Sequence, residues 1–290
     1  MKILILGANG ILGHTLFLYL QTVDNLQVLG LCGKKMKSSV FSSKFSSSLS
    51  EIDLLDFSSL ENIIKNYRPD FVVNCAVKKS FNNSDEKIIE NIYINSILPH
   101  RIAKLTFFYQ FKFIHVSTDS VFGNLGRGKV EGSGLIMQDL YSASKALGEP
   151  LYENSIILRT SLIGHSLNGG SGLLDWVLSS TEVHGFDNHI YAGITSIELS
   201  KIIFKITASK VFFSGIFHIT GENISKYDLI SLIIKKYNLN KTIIKNSSDF
   251  IDRSLSSEKF NTQFNYTAPN WNSLLTELRM FYIQNIDLYE

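Results

Sequence analysis

A tyrosine and a lysine stand four positions apart in the segment Tyr141-Ser-Ala-Ser-Lys145. Residues with this spacing lie on one face of an α-helix, one turn apart. A lysine ammonium beside a tyrosine favours the phenolate form and lowers the pKa of the tyrosine, so the pair forms a proton-donating unit. Such pairs also occur on ordinary helix surfaces. The surrounding elements decide between a surface pair and a catalytic pair.

A glycine-rich loop near the start of the chain predicts a nucleotide site. Residues 3–6 form an apolar run typical of a buried parallel strand, and residues 14–21 have a helical pattern. Between them, Gly7 allows a tight turn, Gly10 a close approach of the backbone to a pyrophosphate, and Gly13 close helix packing. The helix N-terminus then faces the phosphates. The spacing G-x-x-G-x-x-G after a strand therefore indicates a dinucleotide-binding unit.

The end of the second predicted strand, residues 27–31, indicates which nicotinamide cofactor is preferred. Sites selective for NAD usually place an acidic residue there to hold the ribose hydroxyls. Here the strand is followed by Lys34, Lys35 and Lys37, with no acid. Lysines at this position attract a 2′-phosphate, which favours NADP(H) over NAD(H). A solvent-exposed basic loop is the alternative interpretation.

Strands and helices alternate along the first half of the chain. Strands are predicted over residues 71–76, 112–116 and 156–159, and helices over residues 57–67 and 87–108 and around Tyr141. This order gives a right-handed, doubly wound parallel sheet of the Rossmann type, an α/β fold, which binds ligands at the carboxyl ends of its strands. Thr118 follows one of these strands and is expected at the same crevice as Tyr141. Asn95, inside the long helix, either lines the site or lies on the surface.

The second half of the chain has shorter, less regular elements. Helices are predicted over residues 173–180, 195–208 and 225–237, a strand over residues 214–220, and a turn with a short helix over residues 252–260. Loops are predicted over the serine-rich residues 38–50 and over residues 167–172 and 184–190. We predict an NADP(H)-binding Rossmann domain at residues 1–160, which also receives elements from about 190–215. Residues 161–290 are mainly a smaller, C-terminal substrate-binding lobe.

Composition argues against several other classes of protein. With 290 residues, 44% of them hydrophobic and 19% charged, the chain is typical of a globular protein. Its net charge of +2 is too small to indicate a nucleic-acid-binding surface. No apolar run reaches the roughly 18–20 residues of a membrane span. Cys32 and Cys75 are far apart, so neither a disulfide framework nor a metal site is expected. We expect a cytoplasmic protein without nucleic-acid or membrane partners.

Together these motifs resemble those of the extended short-chain dehydrogenase/reductases, and most of all the dTDP-4-dehydrorhamnose reductase group of nucleotide-sugar reductases. The resemblance runs from residue 3 to about residue 260. The matching segments are Gly7-x-x-Gly10-x-x-Gly13, Asp53, Asn74-Cys-Ala76, Asn95, Ser117-Thr118-Asp119-Ser-Val-Phe122-Gly123, Tyr141-Ser-Ala-Ser-Lys145-Ala-Leu-Gly148-Glu149, Leu158-Arg159-Thr160, Gly193-Ile-Thr195, Gly215-Ile-Phe-His218-Ile-Thr220-Gly221 and Asp252-Arg253-Ser254.

The resemblance implies NADPH-dependent reduction of a keto group on a nucleotide-linked deoxysugar, and it is compatible with a homodimer. Tyr141 would protonate the carbonyl oxygen, Lys145 would lower the pKa of Tyr141 and hold the nicotinamide ribose, and Thr118 would hydrogen-bond the developing alkoxide. The implied cofactor contacts are Gly7, Asn9, Gly10, Ile11, Leu12, Gly13, Lys34, Lys35, Asp53, Leu54, Cys75, Ala76, Val77, Asn95, Tyr141 and Lys145. The implied substrate contacts are Lys78, Ser120, Phe122 and Arg253.

The chain departs from the reductase group near the expected substrate pocket. Ser120 stands where an aromatic residue is usual, Val77 replaces a second alanine, and residues 131–137 replace a Pro-rich loop. These differences leave the sugar open. A dehydratase or epimerase of the same family and a non-catalytic NADP(H)-binding regulatory subunit are the alternatives. The dehydratases carry Asp-Glu after the catalytic threonine, whereas here Asp119 is followed by Ser120.

Overall fold

The computed structural model describes residues 1–33, 39–79, 85–167, 169 and 172–289. The strands are β1 (Lys2–Leu6), β2 (Gln27–Cys32), β3 (Leu49–Glu51), β4 (Phe71–Asn74), β5 (Lys112–Thr118), β6 (Leu125–Lys129), β7 (Ser155–Thr160), β8 (Leu162–Ile163), β9 (Glu182–Phe186), β10 (His189–Tyr191), β11 (Ile194–Thr195), β12 (Gly215–His218), β13 (Ile224–Ser225), β14 (Thr242–Asn246) and β15 (Ile251–Leu255). The α-helices are α1 (Ile11–Gln21), α2 (Ser39–Lys44), α3 (Phe57–Tyr67), α4 (Asp85–Ile92), α5 (Leu98–Tyr109), α6 (Leu140–Leu147), α7 (Leu173–Ser179), α8 (Ser196–Ala208), α9 (Lys226–Lys236), α10 (Glu258–Phe264) and α11 (Trp271–Gln284). None of these helices, over the residues described, is both long and apolar enough to cross a bilayer.

Seven parallel strands form the main sheet, in the order β12-β7-β5-β4-β1-β2-β3. The predicted doubly wound Rossmann sheet is thereby confirmed. Because helices cover both faces of such a sheet, its strands are apolar along their length, and β7 is buried at every position. The chain direction around the sheet reverses between β1 and β4. A crevice at the carboxyl ends of these strands is the usual ligand site.

Alternate residues of β1 pack into two separate cores, one on each face of the sheet. Ile3 and Ile5 belong to the core formed with α1 and α8. Leu4 and Leu6 belong to the core formed with α3 and α5. Since successive side chains of a strand point to opposite faces, the uninterrupted apolar run of β1 serves both cores.

The remaining strands form smaller sheets. One has the order β13-β10-β15-β6, and β9 pairs with β14. β6 precedes α6 in the chain, yet it runs parallel to β15. The elements of the C-terminal half are therefore joined to the segment between β5 and α6, close to the carboxyl end of β5.

Three segments contain regular structure where the sequence predicted a loop or a turn. The serine-rich segment, expected as a loop over residues 38–50, contains α2 and β3. Phe41 is fully buried, and the rings of Phe41 and Phe45 lie 5.7 and 5.3 Å from that of Phe17 on α1. Two aromatic side chains on one face of a short helix are enough to hold this segment on the core, although serines surround them.

Residues 184–190, also expected as a loop, contribute to β9 and β10, and residues 251–255 form β15 instead of a turn. These strands are short and polar, so they lack the apolar run or clean alternation that marks a strand. Their partners come from distant parts of the chain: β9 pairs with β14, and β10 with β13 and β15. Strand pairing between such distant segments cannot be predicted from a local sequence pattern.

Candidate active site

Gly7 and Gly13 bring the end of β1 and the start of α1 into close contact. Gly7 has a φ of +75°, and a Cβ there would lie 2.7 Å from the Cα of Ala76. A Cβ on Gly13 would overlap the carbonyl oxygen of Gly7. Gly10 is the N-cap of α1, and no side chain caps the helix. The first turn of α1 therefore presents free backbone N–H groups, as a phosphate-binding helix terminus requires.

Substitution of Gly13 by alanine is expected to lower the free energy of unfolding by about 1–3 kcal/mol, because the new methyl group would force the Gly7 carbonyl out of place. Gly132→Ala is the matched control, since a Cβ at Gly132 would meet no atom within 4 Å. Urea denaturation followed by circular dichroism measures both. Equal stability of the two variants would contradict the close packing of α1 on β1.

A cleft of about 790 Å³ lies over the carboxyl ends of β1, β2 and β4. Its volume is in the range of sites for small ligands, roughly 300–1,000 Å³. Its walls include these predicted cofactor residues: Gly7, Asn9, Gly10, Asp53, Leu54, Cys75, Ala76 and Val77. Ile11, Leu12 and Gly13 form the first turn of α1, next to Gly10. Lys34 and Lys35 lie outside the described residues.

Thr118 and Tyr141 meet at the carboxyl end of β5. Thr118 is the last residue of β5, and Tyr141 lies in the first turn of α6. Burial raises the pKa of Tyr141 to about 12, although the nearby Thr118 hydroxyl acts in the opposite direction. The carboxylate of Asp119 adds to the rise. Tyr141 therefore keeps its proton across the neutral range, as a proton donor must.

The Tyr-x-x-x-Lys spacing predicts that Lys145 lowers the pKa of Tyr141, and this role stays a prediction. Lys145 Nζ donates to the carbonyl oxygen of Val116 at 2.7 Å and lies 3.2 Å from Nε2 of His115. Lys145 is 2% exposed, and burial lowers its own pKa to about 8. Contacts with β5 hold the Lys145 amine, and burial dominates the titration of both residues.

Asn95 does not line the cleft. It is fully buried in a π-helical turn, Tyr93–Ile97, that separates α4 from α5 within the long helix predicted over residues 87–108. Its Oδ1 accepts from the backbone N–H of Lys78 at 2.9 Å, and its Nδ2 donates to the Lys78 carbonyl at 2.8 Å and to Ser144 Oγ at 3.0 Å. Asn95 therefore holds the loop after β4 and helix α6 in place, and its side chain is turned away from the cleft.

Two adjacent lysines after β4 both line the cleft, but their side chains have different surroundings. Lys78, the predicted substrate residue, forms an exposed ion pair with Glu90 at 3.0 Å. Lys79 Nζ lies 4.9 Å from the centre of the Tyr141 ring. Burial lowers the pKa of Lys79, and the Asp119 carboxylate opposes that shift. Lys79 is therefore the lysine that lies beside Tyr141.

The other predicted substrate residues divide into two groups. Ser120 Oγ lies 3.1 Å from Thr118 Oγ1, and Arg253 is close enough to Asp119 to oppose the burial that raises the pKa of that carboxyl. Phe122, in contrast, is only 2% exposed, and its ring contacts His218. Phe122 packs in the core, so the structure gives no support to its assignment to the substrate site.

Lys226 is a charged residue near this site that sequence reasoning did not include. It is the first residue of α9; burial lowers its pKa, Arg253 lowers it further, and Asp119 opposes the shift. Lys79, Lys226 and Arg253 are thus all within electrostatic range of one buried carboxylate, Asp119. No local pattern marks Lys226, because the fold of the C-terminal half brings it here.

Glu149, at the end of the Tyr141 motif, has a structural role. Its Oε2 lies 2.6 Å from Nη2 of Arg159, and both side chains are 5% exposed or less. Ser117 Oγ donates to Oε1 of the same carboxylate at 2.6 Å. The ion pair fixes the end of α6 to β5 and β7, and so fixes Tyr141 relative to Thr118.

Known proteins are similar to this chain in sequence and in fold. The chain is 27% identical over 239 residues to a dTDP-4-dehydrorhamnose reductase from Aggregatibacter actinomycetemcomitans, over 78% of this chain and 76% of that protein. A dTDP-4-dehydrorhamnose reductase from Bacillus anthracis in complex with NADP matches with a TM-score of 0.78 at 19% identity, over 98% of this chain and 99% of that one. A dTDP-glucose 4,6-dehydratase from Bacillus anthracis in complex with NAD matches with a TM-score of 0.80 at 19% identity, over 100% of this chain and 98% of that one.

The solved structures show that the fold is shared, and the sequence profile named RmlD substrate binding domain shows the family. This profile matches residues 1–280, nearly the whole chain. It spans both the glycine loop and the C-terminal elements that bring Lys226 and Arg253 to Asp119. The protein belongs to the RmlD substrate-binding domain family.

Proposed function

We propose that this protein reduces a keto group of a nucleotide-linked deoxysugar with NADPH. The proposal depends most on one observation: a protonated tyrosine, Tyr141, lies close to Thr118 and beside Lys79, which lines the glycine-loop cleft. The names of the relatives support the substrate class, because two of the three are reductases of a dTDP-linked keto sugar and the third acts on a dTDP-linked sugar.

The residues of the chain supply the acid and the charge stabilisation for this reaction. NADPH, when bound, supplies the hydride for the carbonyl carbon. Tyr141 gives its phenolic proton to the carbonyl oxygen, and Thr118 donates a hydrogen bond to the same oxygen while negative charge develops there. Lys79, whose ammonium lies over the Tyr141 ring, stabilises the phenolate that remains. Lys145 holds the cofactor ribose.

The cleft fits a dinucleotide. Gly7 and Gly10 line it, and the free N-terminus of α1 offers backbone N–H groups to a pyrophosphate. Asp53 lies on its wall, in a position for the adenine end. Bound nicotinamide nucleotides in the two neighbouring structures support such a cofactor, although one holds NADP and the other NAD.

We propose NADP(H) as the preferred form, because Lys34, Lys35 and Lys37 follow β2 where an NAD-selective site would carry an acid. The double variant Lys34→Ala/Lys35→Ala is expected to weaken NADPH binding about 10-fold or more, since a hydrogen bond to a charged group contributes roughly 1.5–3 kcal/mol. NADH binding should be unchanged. Fluorescence titration measures both affinities, with Lys104→Ala on α5 as the control for loss of a surface lysine. Equal weakening of NADPH and NADH would contradict this preference.

The charges around Asp119 suit a substrate with a diphosphate group. Lys79, Lys226 and Arg253 supply three positive charges against one buried carboxylate, so a net positive potential remains beside Tyr141. A nucleotide-linked sugar carries its negative charge on the diphosphate next to the sugar ring. This charge pattern favours such a substrate over an uncharged sugar.

An NADPH-oxidation screen over nucleotide-linked 4-keto sugars tests the proposed function. A reductase consumes NADPH with at least one of them. A dehydratase or an epimerase of this family returns its cofactor to the starting state and shows no net oxidation. A regulatory subunit would bind NADPH and oxidise it with no member of the panel.

A further inference from the structure

A line of buried hydrogen bonds runs from the loop after β4 to Lys145. The backbone N–H of Ala76 donates to Oδ1 of Asn74 at 3.1 Å, and Nδ2 of Asn74 lies 3.1 Å from Nδ1 of His115. Nε2 of His115 in turn lies 3.2 Å from Nζ of Lys145. Asn74 and His115 are fully buried and Lys145 is 2% exposed, so these polar atoms depend on one another for hydrogen bonds.

The direction of these bonds is determined at one end. A backbone N–H can only donate, so Oδ1 of Asn74 is the acceptor and Nδ2 presents its hydrogens to His115. Nδ1 of His115 must then accept and carries no proton. A neutral imidazole has one N–H, which is therefore on Nε2 and faces Lys145.

This direction favours one protonation state of Lys145. An ammonium has three N–H donors and no lone pair, so it would meet the Nε2–H of His115 donor to donor. An uncharged amine accepts from Nε2–H and still donates to the carbonyl oxygen of Val116 at 2.7 Å. Every group in the line is then satisfied.

We propose that His115, aligned by Asn74, is a positioning residue for Lys145 that holds Nζ against β5 and stabilises it as an uncharged amine. His115 cannot relieve the conflict by becoming charged itself, because burial and the nearby Lys145 hold its pKa well below the ordinary value.

The other groups around Lys145 act on it in both directions. Burial is the largest influence and lowers its pKa to about 8; Glu149 and Cys75 oppose this, and Lys79 adds to it. Lys145 therefore loses its charge as pH rises through about 8, whereas an exposed lysine stays charged well beyond that. The catalytic consequence rests on the proposed function: a step that needs the ammonium would lose rate over the same pH range.

Titration of Lys145 in the complete, cofactor-free protein tests this role without any turnover. The protein is labelled with ¹³C at lysine Cε, and the Lys145 signal is identified by its loss in Lys145→Met. In the wild type we expect a transition near pH 8. His115→Phe removes the Nε2–H donor and should raise the Lys145 pKa by about one unit. His165→Phe, which replaces another buried histidine in the C-terminal half, should leave it unchanged.

A second variant reverses the direction of the hydrogen bonds. In Asn74→Asp the new carboxylate accepts both from Ala76 N–H and from His115 Nδ1–H, so Nε2 becomes an acceptor that favours the ammonium. The Lys145 pKa should rise at least as far as in His115→Phe.

Two results would overturn the role of His115. One is a wild-type Lys145 that titrates like an exposed lysine. The other is a Lys145 transition that is the same in His115→Phe and Asn74→Asp as in the wild type. If His115→Phe does not fold, the wild-type and Asn74→Asp titrations decide. The titration uses no substrate, so its result does not depend on the outcome of the NADPH-oxidation screen.

Discussion

Tyr141→Phe is expected to lower kcat by about 10²–10⁴-fold, the usual contribution of a positioned general acid. The variant keeps the ring under Lys79 and removes only the phenolic hydroxyl that lies near Thr118. NADPH affinity should stay at the wild-type value, because the cleft walls are unchanged. Steady-state rates with the sugar identified in the screen, together with a cofactor titration, measure both quantities.

The matched control for this substitution is Tyr109→Phe. Tyr109 is the last residue of α5 and lies outside the site. Its hydroxyl donates to Glu61 on α3, so loss of this hydroxyl should leave kcat unchanged. If Tyr141→Phe turned over at the wild-type rate, Tyr141 would not be the proton donor. If Tyr109→Phe lost as much activity as Tyr141→Phe, the effect would be one of stability instead of chemistry.

Glu149→Ala is expected to lower the free energy of unfolding by about 3–5 kcal/mol, because removing one partner of a buried ion pair leaves the other charge uncompensated. Arg159, 3% exposed at its side chain, would keep only the carbonyl oxygen of Glu131 as an acceptor among the bonds described. Urea denaturation followed by circular dichroism measures the loss. Activity should fall as well, because the end of α6 is no longer fixed to β5 and β7.

Asp287→Asn is the control for this prediction. Its pair with Lys44 lies at 2.8 Å, as short as a good ion pair, but both side chains are about half exposed. Exposed pairs contribute about 0–1 kcal/mol, since water screens the charges. A loss in Glu149→Ala as small as that in Asp287→Asn would show that the buried pair does not anchor the catalytic helix.

The features that local patterns could predict are the parts of the site on the parallel sheet. The apolar run of residues 3–6 predicts β1. Gly7 and Gly13 have no room for a side chain, and their spacing after this strand predicts the glycine-rich turn. Thr118 and Tyr141 meet because the carboxyl ends of parallel strands share one edge. These inferences need only the order of strands and helices.

Other features depend on contacts between distant segments. Nothing in the pair Lys78-Lys79 indicates which side chain faces Tyr141, since an irregular loop has no period. The role of Asn95 in holding the loop after β4 could not be predicted, because it depends on a π-helical turn that places the Asn95 amide against the Lys78 backbone. Lys226 joins Asp119 only after the C-terminal half has folded. The pKa of Tyr141 also could not follow from its spacing to Lys145, because burial decides it.

Transfer of deuterium from NADPH labelled at the reactive C4 position of the nicotinamide tests the central claim most directly. The wild-type protein is incubated with the labelled cofactor and a nucleotide-linked 4-keto sugar, and the product is analysed by mass spectrometry and NMR. Reduction with Tyr141 as the proton donor predicts one NADPH consumed per sugar and the label on the former carbonyl carbon. A changed sugar formed without net consumption of NADPH, or without the label, would contradict it.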